Sequence, residues 1–284
     1  MENDTICTLG NSIIQHGKLN DRVYLMKLSA SDIPVIVAEM IDGIAEKYEY
    51  SKSFVKVPGD TVDRFIENGY QTEAVVPGLF SGKGDGYFLS KYYSPGREEI
   101  EASCKEEIER ILRDTEKIRN TGILNKTKKD LEIRIAGEED ADALAGLYSR
   151  VFESYPFPIH DPGYIRQTMN ENIRYFGIWK DDMLLAASSC ETDISGLNVE
   201  MTDFAVSPEC RGNGYAGLLL EKMETEMKTD RFITSYTIAR AAHEPVNRLF
   251  ARSGYSFCGT LKNNTNICGS FESMNVWYKR LISG

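Results

Sequence analysis

Residues 198–227 read NVEMTDFAVSPECRGNGYAGLLLEKMETEM, an alternating run that passes through a proline and two glycines into an apolar helical repeat. Val199 to Val206 carry β-branched and apolar residues at strand spacing, and Pro208 ends the ladder by removing a backbone donor. Leu218, Leu219, Met223 and Met227 then recur at helical spacing. The turn between strand and helix is Arg211-Gly212-Asn213-Gly214-Tyr215-Ala216. A helix leaves its first amide N–H groups unpaired and is partly positive at that end, so glycines that bare the backbone there make a seat for a diphosphate. Arg211 adds a formal charge. No Gly-Lys-Ser/Thr follows, as a nucleotide P-loop needs, and the third glycine of a dinucleotide fingerprint is missing.

The spacing Arg-x-x-Gly-x-Ala, directly after a strand ending Phe-Ala-Val-Ser-Pro-Glu, resembles the coenzyme A signature of the GNAT N-acetyltransferase superfamily. The elements around it fall in the matching order. LEIRIA reads as a strand, EEDADALAGLYSRVF as an acid-started helix, DPGYIRQTMNEN as a second helix capped by Asp161, and IRYFGIWKDD with MLLAASSCETD as a hairpin. After the cradle, RFITSYTIARA reads as a buried strand, EPVNRLFARSG as a short helix ended by Gly254, and YSFCGTL and MNVWYKRL as closing strands. The resemblance implies an α/β GNAT fold over residues 131–284, with a mixed, mostly antiparallel sheet flanked by helices.

The chain's 284 residues are enough for two small domains with real cores. Residues 94–130 are crowded by charge, yet Ile100, Cys104, Ile108, Ile111, Leu112 and Ile118 recur near helical spacing. They read as a charged connecting helix that docks on a domain by one thin apolar stripe. Residues 61–93 share the layout of the closing part of the second half: short helix, Gly-Tyr, strand, polar loop, strand, lysine. Phe65 and Phe250 both sit four residues before that glycine. Residues 1–93 are therefore expected to form a degenerate GNAT-like domain that lacks the cradle and does not bind coenzyme A. The run Gly82-Lys83-Gly84-Asp85-Gly86 precedes a strand, which makes it a hairpin turn.

Thirty-three basic against 43 acidic residues leave a net charge of −10, which argues against a nucleic-acid partner and suits a small cationic one. No apolar run reaches membrane-spanning length, and MENDTICTLG lacks the basic and apolar regions of a signal peptide, so a cytoplasmic protein away from membranes is expected. Six cysteines without a C-x-x-C pair and three scattered histidines suggest reduced thiols and no metal site.

Acetyl transfer to an amine needs a neutral nitrogen, and an alkyl ammonium of pKa about 10.4 is almost wholly protonated at neutral pH. Glu200 lies where GNAT enzymes often place a proton-accepting glutamate; the bland alternative is a solvated carboxylate or a substrate-binding charge. Asp203 points to the other face unless a bulge intervenes. The resemblance further implies acetyl-CoA as co-substrate, held by Arg211 to Ala216 and by backbone groups of Phe204, Ala205 and Val206, with Asn247 on the pantetheine arm unless it is only a helix cap. Phe250 departs from the family. Many relatives have a tyrosine there to protonate the leaving thiolate, and a phenyl ring cannot.

Several phrases, SYPFPIHDPGYI, YTIARA, GTLKNNTNICGSFESMNVWYK and IIQHGKLNDRVYLMKL, resemble one subfamily, the β-lysine N6-acetyltransferases. The resemblance implies acetylation of the terminal amine of 3,6-diaminohexanoate to give a compatible solute. Tyr155, Phe157, Asn264 and Glu272 then fall where relatives build the acceptor pocket, although each has a structural reading as packing, turn or solvated strand. Other acceptors (lysine, a polyamine, a protein lysine) and a catalytically silent acyl-CoA sensor stay open from sequence.

Overall fold

The computed structural model describes residues 4–122 and 130–282. The first half runs β1 (Thr5–Leu9), β2 (Ser12–Gly17), β3 (Arg22–Lys27), α1 (Pro34–Tyr48), β4 (Lys52–Pro58), α2 (Val62–Glu67), β5 (Gln71–Phe80) and β6 (Gly84–Tyr92). Two helices follow, α3 (Pro95–Glu98) and α4 (Ala102–Ile118). Residues 1–3, residues 123–129 of the expected connecting segment and residues 283–284 lie outside the described residues. The second half runs β7 (Glu132–Ile135), α5 (Ala141–Val151), α6 (Pro162–Met169), β8 (Ile173–Lys180), β9 (Met183–Asp193) and β10 (Asn198–Val206). It ends with α7 (Tyr215–Thr229), β11 (Thr234–Arg240), α8 (Glu244–Arg252), β12 (Ser256–Ile267) and β13 (Ser270–Arg280).

Among the described residues the strands form one sheet in the order β1-β2-β3-β4-β6-β5-β12-β13-β11-β10-β9-β8-β7. Read outward from the β5–β12 seam, the two halves have the same strand order. Each has one parallel pair, β3 with β4 and β10 with β11, and each places a helix between the strands of that pair. The first half starts one strand and two helices later. Because β5 and β12 occupy corresponding places and pair antiparallel, the halves meet about a local pseudo-twofold.

The seam is narrow in hydrogen bonds and broad in packing. Gly259 pairs with Ala74 at φ 146°, and a Cβ there would lie 2.0 Å from the Glu73 carbonyl oxygen, so only glycine lets the strands approach. A core cluster joins Tyr24, Phe54 and Phe88 of the first half to Tyr236, Leu261 and Val276 of the second. The buried Lys52 ammonium crosses the seam, donating to Glu73 at 3.3 Å and to the Lys262 carbonyl at 2.6 Å. Burial lowers the Lys52 pKa to about 7 against the pull of Glu73.

Local sequence accounts for the elements nearest the site. In α7, Leu219, Leu220, Met223 and Met227 are buried on one face against β9 and β10. Asp161 caps α6 by accepting from the Gly163 amide at 2.8 Å. Ile108 and Ile111 bury the thin stripe of α4 while Cys104 stays exposed, and Arg110 ties the helix to α8 through Glu244 at 3.0 Å. Gly84 to Gly86 open β6 in the hairpin after β5.

Candidate active site

The turn from β10 to α7 opens onto a cavity of about 2030 Å³. A pocket for one small ligand occupies roughly 300–1,000 Å³, so this cavity has room for two substrates at once. Gly212 and Gly214 adopt φ of 80° and 78°, a left-handed conformation that disfavours other residues, and a Cβ on either would point into open space. The backbone is therefore bare to the cavity at the N-terminus of α7, where the first-turn amides face outward. Arg211, Tyr215 and Ala216 line the same wall. This wall fits the diphosphate of a coenzyme A thioester, with amides and Arg211 for the charge and no side chain over the glycines.

A bulge in β10 builds the neighbouring wall. The register with β9 shifts between Thr202 and Ala205, and Asp203 sits at φ 56°. Strict alternation would turn Asp203 away from Glu200. The bulge instead brings both carboxylates to the cavity, with Thr202, Phe204 and Val206 beside them. Glu191 pairs directly across from Glu200 and also lines the cavity. The three acids are not equivalent. Asp203 is held as an acceptor by Ser189 Oγ at 2.5 Å and by the Tyr155 hydroxyl. Burial raises Glu191, with Glu200 and Asp203 adding to the shift. Burial also raises Glu200, against the opposing pull of Lys56 and Tyr236. A carboxylate tuned upward in this way is a better proton acceptor than an exposed one.

The first half supplies the wall facing these acids. Lys56 on β4 donates to the Tyr236 hydroxyl at 3.1 Å. Arg22 and Tyr24 of β3 line the cavity with Phe54 of β4. Tyr155, Phe157 and Asn264 reach it from the second half. The polar Asn263-Asn264-Thr265 stretch is no separate turn: it lies inside β12, where the register with β13 shifts between Leu261 and Thr265. Arg97 of α3 donates to the Asn263 carbonyl at 2.8 Å, and the Asn266 amide donates to Asn20 Oδ1 at 2.8 Å, so the connection and the first half fix its position.

Asn247, Glu272 and the Asn213 side chain take other places. Asn247 is fully buried: its amide nitrogen donates to the Arg240, Ala241 and His243 carbonyls, and its oxygen accepts from Asn275 and Trp277. It locks α8 to β11 and β13 and does not line the cavity. Glu272 faces Arg240 in a two-pronged ion pair at 2.7 and 2.6 Å, again off the cavity wall. Asn213 folds its side chain back onto the Cys210 carbonyl at 2.9 Å. The Ala205 side chain is buried in the core against α5, so only its backbone could serve a ligand. Phe250 is also core, packed edge-on against Phe204 and Tyr255.

Glu191, Lys56, Arg22 and Tyr24 escaped the sequence reading. Glu191 needs the hairpin register to be placed opposite Glu200. The signal for Lys56 and Arg22 was present but weak: cations interrupt the otherwise buried strands KSFVKVP and RVYLMK.

Residues 142–255 match the acetyltransferase (GNAT) family. The chain is 41% identical over 278 residues to a β-lysine N(6)-acetyltransferase of Methanococcus maripaludis, covering 97% of this chain and 98% of that protein. It belongs to the GNAT acetyltransferase family. A second relative, a β-lysine N(6)-acetyltransferase of Methanosarcina mazei, is 32% identical over 86% of this chain and 97% of its own. Among solved structures, the ribosomal-protein-S18-alanine N-acetyltransferase of Escherichia coli aligns with 54% of this chain and 96% of its own at TM-score 0.48 and 15% identity. As a GNAT member the chain is an N-acetyltransferase, and acetyl-CoA is the acetyl donor of that family. No helix among the described residues is long and apolar enough to cross a membrane.

Proposed function

We propose that this protein transfers the acetyl group of acetyl-CoA to the N6 amine of β-lysine, a small cationic amino acid, yielding N6-acetyl-β-lysine as a compatible solute in the cytoplasm. The observation that carries the reading is the joining of a bare-backbone helix terminus to three carboxylates in one cavity. The full-length likeness to the β-lysine enzymes points to the acceptor.

Acetyl-CoA brings the acetyl group as a thioester. The amides from Gly212 to Ala216 and Arg211 hold its diphosphate, and backbone groups of Phe204, Ala205 and Val206 beside the bulge hold the arm that carries the thioester. Glu191 and Asp203 draw the N6 ammonium toward Glu200. Glu200 then accepts one ammonium proton, leaving a lone pair to attack the thioester carbonyl. The C–N bond forms as the C–S bond breaks, and the second proton leaves with the sulfur as free thiol. No hydroxyl stands at Phe250, so no side chain is assigned to that last transfer. Most of the acceleration comes from holding amine and thioester in attack geometry, with no covalent enzyme intermediate.

The chain divides functionally at the seam. Residues 131–284 form the catalytic GNAT domain, residues 94–130 the connection, and residues 1–93 a degenerate GNAT-like unit. In the first half the place of the cradle is taken by the turn before α1, which holds Asp32 and no glycine; the carboxylate repels phosphate.

Incubation with acetyl-CoA and β-lysine, followed by mass spectrometry of the product, tests the proposal. The new amide is expected on N6. Faster turnover of lysine or spermidine in competition would overturn the acceptor assignment, and product acetylated on the C3 amine would overturn the orientation.

A further inference from the structure

Two buried polar atoms of cavity-lining residues lack partners, and their chemistry is complementary to an amino-acid head group. Arg22 is 5% exposed and Asn264 is 2% exposed, and both line the cavity that holds Glu200. Arg22 Nη1 donates to the Asn264 backbone carbonyl, which sets the two side by side. Among the described residues, Arg22 Nε has no acceptor and Asn264 Oδ1 has no donor. The guanidinium is flanked by the Tyr24 and Phe54 rings, 5.3 and 5.7 Å from their centroids, and makes no ion pair there.

A buried cation with an unused N–H is costly unless an anion meets it. Evolution of a pure core would place an apolar residue here, as at the neighbouring Val23 and Leu25. The Nε edge of a guanidinium suits a carboxylate, and a lone amide oxygen suits an ammonium. Tyr24 lines the same cavity as Arg22 and Glu200. The corner and Glu200 thus open onto one cavity.

We propose that Arg22 Nε binds the carboxylate, and Asn264 Oδ1 the C3 ammonium, of the acceptor, so that the first half of the chain measures the substrate's head while Glu200 meets its tail. The assignment rests on β-lysine being the acceptor. It gives the cradle-less half a role in specificity, and it explains why the Asn263–Asn266 stretch of β12 is clamped by Asn20 from that half and by Arg97 of α3.

Two truncated acceptors test it without any mutation. 6-Aminohexanoate keeps the carboxylate and terminal amine but lacks the C3 amine; 1,4-diaminopentane keeps both amines but lacks the carboxylate. Wild-type kcat/KM is expected to fall about 100-fold or more for 1,4-diaminopentane and about 10-fold for 6-aminohexanoate, because each leaves a buried partner unpaired. Arg22→Met is expected to erase the preference for β-lysine over 1,4-diaminopentane, and Asn264→Ser the preference over 6-aminohexanoate, with the change in KM. Arg22→Lys, which keeps the buried charge, guards against a folding defect and should retain part of the carboxylate preference. Wild-type enzyme that uses 1,4-diaminopentane as well as β-lysine overturns the head-group assignment and leaves the transferase reading intact. So do variants that lose all three acceptors equally. No product from β-lysine, with turnover of another amine, overturns the acceptor reading and this assignment with it.

Discussion

At the scale of single residues, the acids of β9 and β10 are not interchangeable, because their surroundings differ. Asp203 is fastened by Tyr155 and Ser189, whereas Glu200 meets Tyr236 and, on the facing wall, Lys56. Glu200→Gln is expected to lower kcat about 100-fold with coenzyme affinity unchanged, since general-base removal at this kind of site has that size. Its pKa is raised, so in the wild type the rate should fall as pH drops through a range above that of an ordinary carboxylate. In the Gln variant that limb should vanish, leaving only the slope of the amine itself; an unchanged pH–rate profile would remove Glu200 from the role. Glu191 carries the opposite consequence for stability. Its pKa in the folded protein is raised, so between the unfolded and folded values the native state binds more protons, and stability falls as pH rises through that window. Glu191→Gln is therefore expected to raise Tm at pH 8 and to change it little at pH 4, while raising the KM for the amine. Thermal melts at the two pH values would check this, and a lower Tm at pH 8 would contradict it. Asn247 shows how far a residue type alone can mislead: an asparagine at a helix start serves ligand or fold equally well, and here Asn275 and Trp277 claim its oxygen.

At the scale of elements, strand, turn and helix from 198 to 227 were legible because each is set by local rules. The period changes from 2 to 3.6, proline ends the ladder, and glycines take the left-handed positions. Gly214→Ala tests the turn. A residue with a Cβ at φ 78° costs about 1–2 kcal/mol, a loss visible as a small drop in Tm. Because that methyl projects into the cavity, calorimetry is expected to show coenzyme A affinity reduced about 10-fold or more, in line with the loss of about 1.4 kcal/mol or more. Unaltered affinity would move the diphosphate elsewhere. The bulge in β10 was not legible in the same way. Its extra residue is specified by pairing with β9, so the sequence offered Asp203 on one face or the other and the pairing chose the cavity.

At the scale of the molecule, the two halves share one sheet and one cavity, so damage to the seam should reach the chemistry. Gly259 stands where β12 meets β5. Gly259→Ala forces a methyl onto the Glu73 carbonyl at a strained φ, and is expected to destabilise by at least about 2 kcal/mol. In a chain of this size that lowers Tm by roughly 4 °C or more. It should also raise the KM for the amine acceptor more than that for acetyl-CoA, because the cradle lies entirely in the second half whereas the acceptor side draws on both. Equal effects on the two KM values would mean that the first half only packs.

What the sequence determined alone was whatever depends on neighbours a few residues apart: the cradle, the helix caps, the hairpins, the repeat of closing elements. Family resemblance also marked Glu200, Tyr155, Phe157 and Asn264, which line the cavity, and Glu272 and Asn247, which do not. The tertiary structure decided which polar side chains share a space. Glu191 joined Glu200 by cross-strand pairing, Asp203 by a bulge, and Arg22 and Lys56 across a seam between strands far apart in the chain. Burial and charge at a site sum over everything nearby in space, and distance along the chain carries almost none of that information.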